Sequence, residues 1–310
     1  MIKRLVTIIT WAFLGLAVWI IAKEIRIVGG KHLMNLIAST PFRVIGIGFV
    51  WITLDYLVLS GYDGLALAYI GKKLSYLKIL KIATLSFAFS NTTGHTYAAG
   101  GAVRYLLYRP LGLTQAEVLK MILFETLTVF IGIAVSFLLA IGLRPFEGVG
   151  FPILSRSLYL MAGVLLIVLI GYYLFGIVRP RKWKIKKIEL PPPTPRMSLA
   201  QIGVGVLDNL LIFCVFYTFL KYYLPAPFLE TFTVFILAQS IGFMAQIPGG
   251  LGVFEGSFLY LFPHNSTQKS GILAALILFR IFYYFVPFIL ATLCLGIHFI
   301  RKRFSFLSSE

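Results

Sequence analysis

Six stretches of mostly apolar residues, each long enough to cross a bilayer, constrain this chain more than any motif does. They run over 5–22, 44–70, 118–143, 157–178, 199–220 and 271–300. A hydrocarbon core of roughly 30 Å takes about 20 residues of helix, so each is expected to span it. With 59% of residues hydrophobic and only 13% charged, the chain has too little polar surface for a water-soluble globule. The first run follows Lys3 and Arg4 and has no small-residue cleavage site before Lys23, so it reads as a retained helix and not a signal peptide. The expected fold class is all-α integral membrane.

Two further apolar stretches, 79–103 and 231–262, are interrupted by turn-forming residues. Asn91, Gly94, Gly100 and Gly101 break the first; Pro248, Gly249, Gly250, Gly252 and Gly256 break the second. The two breaks are related by a constant offset of 155 residues, which takes Gly94 to Gly249 and Gly101 to Gly256. The order helix, helix, broken segment, helix recurs with it. The chain therefore divides into a first membrane repeat at 1–150 and a second at 151–310, joined by a basic, proline-rich linker at 179–198.

Charge decides how the broken segments sit. If each enters and leaves on one face, 19 of the 28 Lys and Arg fall on the cytoplasmic side, among them seven between Arg179 and Arg196. Full crossings would turn that linker outward. The spacing thus predicts six full crossings and two re-entrant hairpins. Each half has three crossings, an odd number, so the second half is inverted relative to the first. Both termini are expected in the cytoplasm of a multi-pass cell-membrane protein.

Irregular backbone at membrane depth needs a polar cavity, because unsatisfied amides in hydrocarbon cost several kcal/mol each. Glycine-rich turns can aim amide hydrogens at an anion, and Pro248–Gly256 suits that use; close helix packing is the competing explanation of the same glycines. Ionisable residues within spans cost at least about 2.5 kcal/mol at the helix centre. Five stand out: Asp55, Glu125, Asp208, Glu255 and Arg280. Arg104 and Arg280 can fork a phosphate, and the carboxylates can accept an amine. Internal ion pairs, Arg280 with Glu125 or Glu255, are the alternative, and one that opens would serve as a gate. Candidate substrate-binding residues are Asn91, Gly94, Gly100, Gly101, Arg104, Glu125, Asp208, Gln246, Gly249, Gly250, Glu255 and Arg280. His95 reads as a hydrogen-bonded turn residue. Cys214 and Cys294 lie in apolar runs, and no metal-ligand spacing or nucleotide-binding loop occurs, so no metal, cofactor or catalytic group is expected.

The segments GGAVRYLLYRPLGLT at Gly100–Thr114 and IPGGLGVFEG at Ile247–Gly256 together resemble the lysylphosphatidylglycerol synthase transmembrane, or flippase-like, family. RIFYYFVPFIL at Arg280–Leu290 is similar to that family's last conserved helix. The resemblance is to the flippase part of multiple peptide resistance factor proteins, without their soluble aminoacyltransferase domain. It implies a lipid translocase that binds a polar or aminoacylated phospholipid or lipid-linked headgroup between the two hairpins. The partners expected are membrane lipids with anionic or aminoacylated headgroups, not nucleic acid, with a separately encoded lipid-modifying enzyme as a further candidate docking on Lys182–Lys187. A membrane-embedded enzyme using Glu255 or Glu125 as general acid or base, and an accessory subunit, are the competing readings.

Overall fold

The computed structural model of the protein describes residues 30–93, 96–143, 152–178, 183–185, 188–190, 192–245, 250–265 and 268–307. The helices are α1 (Gly30–Ala38), α2 (Phe42–Tyr69), α3 (Tyr76–Thr93), α4 (Thr96–Tyr108), α5 (Gln115–Leu143), α6 (Pro152–Val178), α7 (Pro195–Tyr223), α8 (Phe228–Met244), α9 (Val253–Leu261), α10 (Lys269–Phe279) and α11 (Val286–Leu307). Among the described residues, four helical stretches are long and apolar enough to cross a membrane: Phe42–Tyr69, Gln115–Gly142, Pro195–Tyr223 and Lys269–Ile297. The span expected at 157–178 is helical as part of α6, apolar over Tyr159–Leu174. The span expected at 5–22 lies outside the described residues.

One expectation needs correction. The last span is not a continuous α-helix: a π-helical segment, Arg280–Phe285, separates α10 from α11. Apolar periodicity does not distinguish a π-bulge from regular helix, and such bulges cluster at functional positions. Within the linker, Trp183–Ile185 (β1) and Ile188–Leu190 (β2) form a short antiparallel ladder pairing Trp183 with Leu190.

Local chemistry sets the helix ends. Before α5, the Thr114 hydroxyl accepts from the Glu117 amide while Glu117 accepts from the Thr114 amide, a reciprocal capping box. Asn265 and Gln268 exchange the same bonds before α10, and Thr194 caps α7, whose first residue is Pro195. The turn after α4 closes at Gly112, where φ is +88°, a backbone that glycine adopts without a Cβ clash.

Helices α2 and α7 pack antiparallel along their length. Gly48 faces the Phe219 ring at one end of the seam and Gly61 faces Val204 at the other. Where α5 crosses α7, Gly132 and Gly205 meet so closely that a Cβ on Gly132 would lie 2.6 Å from the Gly205 Cα. Helices α3 and α4 form one helical hairpin, α8 and α9 another. Their contacts are reciprocal: α3 lies against α11 and α8 against α5, so each hairpin leans on the long helix of the other half. Met197 at the start of α7 packs against the same apolar cluster as Ile70, Leu74 and Leu111, which gathers the loops bounding the first hairpin at one end. At the other end Tyr223 bonds Thr40, and Gly271 abuts Tyr223. The second hairpin is sealed by a ring cluster of Phe213, Phe216, Phe235, Phe254, Phe258 and Phe279. Outward-facing Leu160, Ile167, Val168, Leu290 and Leu293 are exposed, as suits a surface solvated by lipid.

Candidate functional site

The intramembrane charges fall into three neighbouring groups instead of one ring around a single cavity. The first is built on α4. A Cβ on Gly100 would lie 1.8 Å from the Ser90 hydroxyl oxygen and 2.8 Å from the Ser86 carbonyl, and one on Gly101 would lie 2.8 Å from Ile122. These two glycines therefore let α4 press between α3 and α5, which is the packing role. One turn further along the same face, Arg104 is delivered to two carboxylates. Its Nε and Nη2 donate to Asp63 Oδ1 at 3.1 and 2.8 Å, and Nη2 lies 2.9 Å from Glu125 Oε2. Tyr108 donates to the other Asp63 oxygen at 2.7 Å, and the guanidinium sits 4.5 Å from the Phe87 ring centre. All three charged side chains are buried.

The second group joins the second hairpin to the π segment. Gly250 and Gly252 have φ of +63° and +77°, and Gly250 also approaches the Gly242 backbone, so this turn needs glycine. It starts α9 so that Glu255 accepts from the Gly252 amide at 2.8 Å with one oxygen and from Arg280 Nε at 2.5 Å with the other. Of the two partners anticipated for Arg280, the structure selects Glu255; Glu125 belongs to Arg104. The Arg280 guanidinium lies near the Phe254 and Tyr284 rings, 5.6 and 4.6 Å from their centres. The side chains of this pair keep 8% and 12% of their surface exposed, more than the first group retains.

The third group lies on the α2–α7 seam. Tyr62 donates to Asp208 Oδ2 at 2.6 Å and Tyr283 donates to Asp55 Oδ2 at 2.7 Å, with the two carboxyl groups within hydrogen-bonding reach of each other. Asp55 and Asp208 sit near the middle of 28- and 29-residue helices, roughly 20 Å from either end at 1.5 Å per residue.

The second and third groups meet at the π segment. Tyr283 serves the aspartate pair, Arg280 one turn earlier serves Glu255, and the Tyr284 carbonyl accepts from Thr92 at the tip of the first hairpin at 3.3 Å. Asn91, half-buried at that tip, is thereby near the Arg280 segment. Gly94, His95, Gln246 and Gly249 lie outside the described residues.

Four participants escaped sequence reasoning: Asp63, Tyr62, Tyr108 and Tyr283. Asp63 was accessible to it, because it lies eight residues after Asp55 on the same helix face and carries the same cost of burial. The tyrosines resemble interfacial belt residues in sequence, and only their contacts show otherwise.

Residues 5–291 match the model of the lysylphosphatidylglycerol synthase TM region. The chain is 31% identical over 253 residues to an uncharacterized Synechocystis protein, covering 80% of this chain and 77% of that one. It is 27% identical over 249 residues to the Escherichia coli inner membrane protein YbhN, covering 78% and 76%. A phosphatidylglycerol lysyltransferase of Bacillus subtilis is 25% identical over 223 residues, which are 69% of this chain and 25% of that protein.

Proposed function

The chain belongs to the lysylphosphatidylglycerol synthase transmembrane-region family, and on that premise we propose that it carries a polar or aminoacylated phospholipid headgroup across the membrane without chemically altering it. The observation that carries this reading is the Glu255–Arg280 pair. An opposite-charge pair at a glycine turn, less sealed than its counterpart, complements a headgroup bearing both phosphate and amine. Arg280 can fork the phosphate while Glu255 accepts the ammonium, and the pair closes on itself when the lipid leaves. Its name ties the Bacillus relative to phosphatidylglycerol. The present chain spans only a quarter of that protein, so lysyl transfer itself is not assigned here.

The proposed architecture is the inverted repeat: six crossings, including 5–22 and 157–178, with two re-entrant hairpins entering from opposite faces. Antiparallel packing of α2 on α7, the second helices of each half, supports it, as do the reciprocal contacts of the hairpins. Transport then proceeds by one half rocking against the other, with acyl chains remaining in the bilayer. The termini, Lys72 and Lys184 face the cytoplasm; Lys31, Arg144 and Lys269 face outward.

Purified protein in liposomes holding a lysyl-phosphatidylglycerol analogue tests the function. Translocation in the wild type and its loss in Arg280→Gln support the reading. Headgroup turnover without translocation would instead select a membrane enzyme, and neither activity would select an accessory subunit of a lipid-modifying enzyme. Labelling of single cysteines at 72 and 184 from opposite faces would end the two-hairpin topology.

A further inference from the structure

We propose that Asp55 and Asp208 form a proton-binding site, holding one proton between their carboxyl groups at the middle of the α2–α7 seam.

Four features of the seam point to it. Asp55 and Asp208 are 0% and 7% exposed. Each spends one oxygen accepting from a buried tyrosine, and the remaining oxygens, Oδ1 of both, have no hydrogen-bond partner. No ion pair from a Lys or Arg reaches either carboxylate among the described residues. Tyr56, adjacent in sequence to Asp55 and 8% exposed, also leaves its hydroxyl without a partner beside the pair.

Two ionised carboxylates within hydrogen-bonding reach in a dry interior repel strongly, with nothing to offset the burial of either charge. A single shared proton removes that repulsion. It also converts the two orphan oxygens into one donor and one acceptor, so both are satisfied at once. The titratable groups that face the pair are Tyr56 and Tyr62 from α2 and Tyr283 and Tyr284 from the π segment; Arg280 and Glu255 stand beyond the Tyr284 ring. Of these tyrosines, Tyr62 and Tyr283 donate neutral hydroxyls to the pair.

The location gives the proton a mechanical consequence. Helix α2 belongs to the first half and α7 to the second, so loss of the proton places two like charges across the seam along which the halves would rock. Tyr283 ties the same site to the segment carrying Arg280. As a coupling device this rests on the transport reading above, whereas the binding of the proton does not.

Infrared spectroscopy of the reconstituted protein, titrated from acid to alkaline pH, should show a protonated-carboxyl stretch that shifts in deuterium oxide and disappears in both Asp55→Asn and Asp208→Asn. In proteoliposomes with a pH gradient of one unit, one proton per lipid would drive an approximately tenfold leaflet asymmetry. The two Asn variants should return that ratio to about one, and a cooperative unfolding transition in detergent close to that of the wild type shows that they fold. Absence of the carboxyl band, or persistence of that band in both variants, overturns the site. Asymmetry driven by a sodium gradient and indifferent to pH overturns it equally. A carboxyl band without any lipid movement keeps the proton site and sinks the transport reading; lipid movement without the band does the reverse.

Discussion

Each half places an arginine–carboxylate pair between the second arm of its hairpin and the long helix that follows, but with opposite polarity. In the first half the hairpin arm α4 brings Arg104 to Glu125 on α5; in the second the arm α9 brings Glu255 to Arg280 at the end of α10. The first pair includes another carboxylate, Asp63, and is closed by Tyr108 and Phe87. The second pairs Arg280 with Glu255 among the described residues, retains some accessible surface, and borders a turn held by glycines at positive φ. The two pairs thus differ as a sealed anchor and a more open pair. Charge sealed among several buried partners fixes packing, and a pair that keeps some exposed surface can exchange its partner for a ligand.

The largest effect that would sharpen this contrast is at Arg104. Arg104→Met leaves Asp63 and Glu125 buried without their cation, and removal of one member of a buried charge group costs about 3–5 kcal/mol. Thermal unfolding in detergent should show a large loss of stability or of folded yield, whereas Arg280→Gln should remain folded. Equal losses at the two arginines would erase the distinction.

Next is the crossing of the halves at Gly132 and Gly205. Gly132→Leu forces a Cβ to within 2.6 Å of backbone, and overpacking of this kind costs about 1–3 kcal/mol. A lowered unfolding temperature is expected, with the two charge groups otherwise intact.

A smaller stability loss, about 1–2 kcal/mol, is expected for Gly250→Ala, because an L-residue is forced into the left-handed region. Its effect on lipid movement should exceed its effect on unfolding, since the turn positions Glu255. Transport at the wild-type rate would detach that turn from function.

Least costly to stability is Glu255→Gln, which keeps a side-chain oxygen for the Gly252 amide but removes the charge. Unfolding should move little while translocation of an amine-bearing lipid falls further than that of an anionic lipid. The paired substitution Glu255→Arg with Arg280→Glu should recover part of the activity. Failure of both outcomes would return the pair to a packing role.

Much of this was readable from the chain. The apolar runs, the breaks near residue 94 and residue 249, and the expense of Glu125, Asp208, Glu255 and Arg280 all follow from local rules: segment length, glycine, and charge in hydrocarbon. Partner choice did not follow. Asp63 was passed over although the same rule marks it, and the glycines at 100 and 101 proved to be packing surfaces whereas those at 250 and 252 are turn residues. Composition cannot separate these, because glycine permits both a close approach and a positive φ.

The sequence by itself determined a lipid-solvated helical chain, its two broken segments and its costly charges, since each is a property of a contiguous stretch judged against hydrocarbon. Only the tertiary structure decided that Arg104 takes two carboxylates, that Arg280 takes Glu255, and that Asp55 meets Asp208 across the seam of α2 and α7. Those pairings join residues up to 153 positions apart. They depend on which helix faces touch and at what depth, and no local periodicity encodes that register.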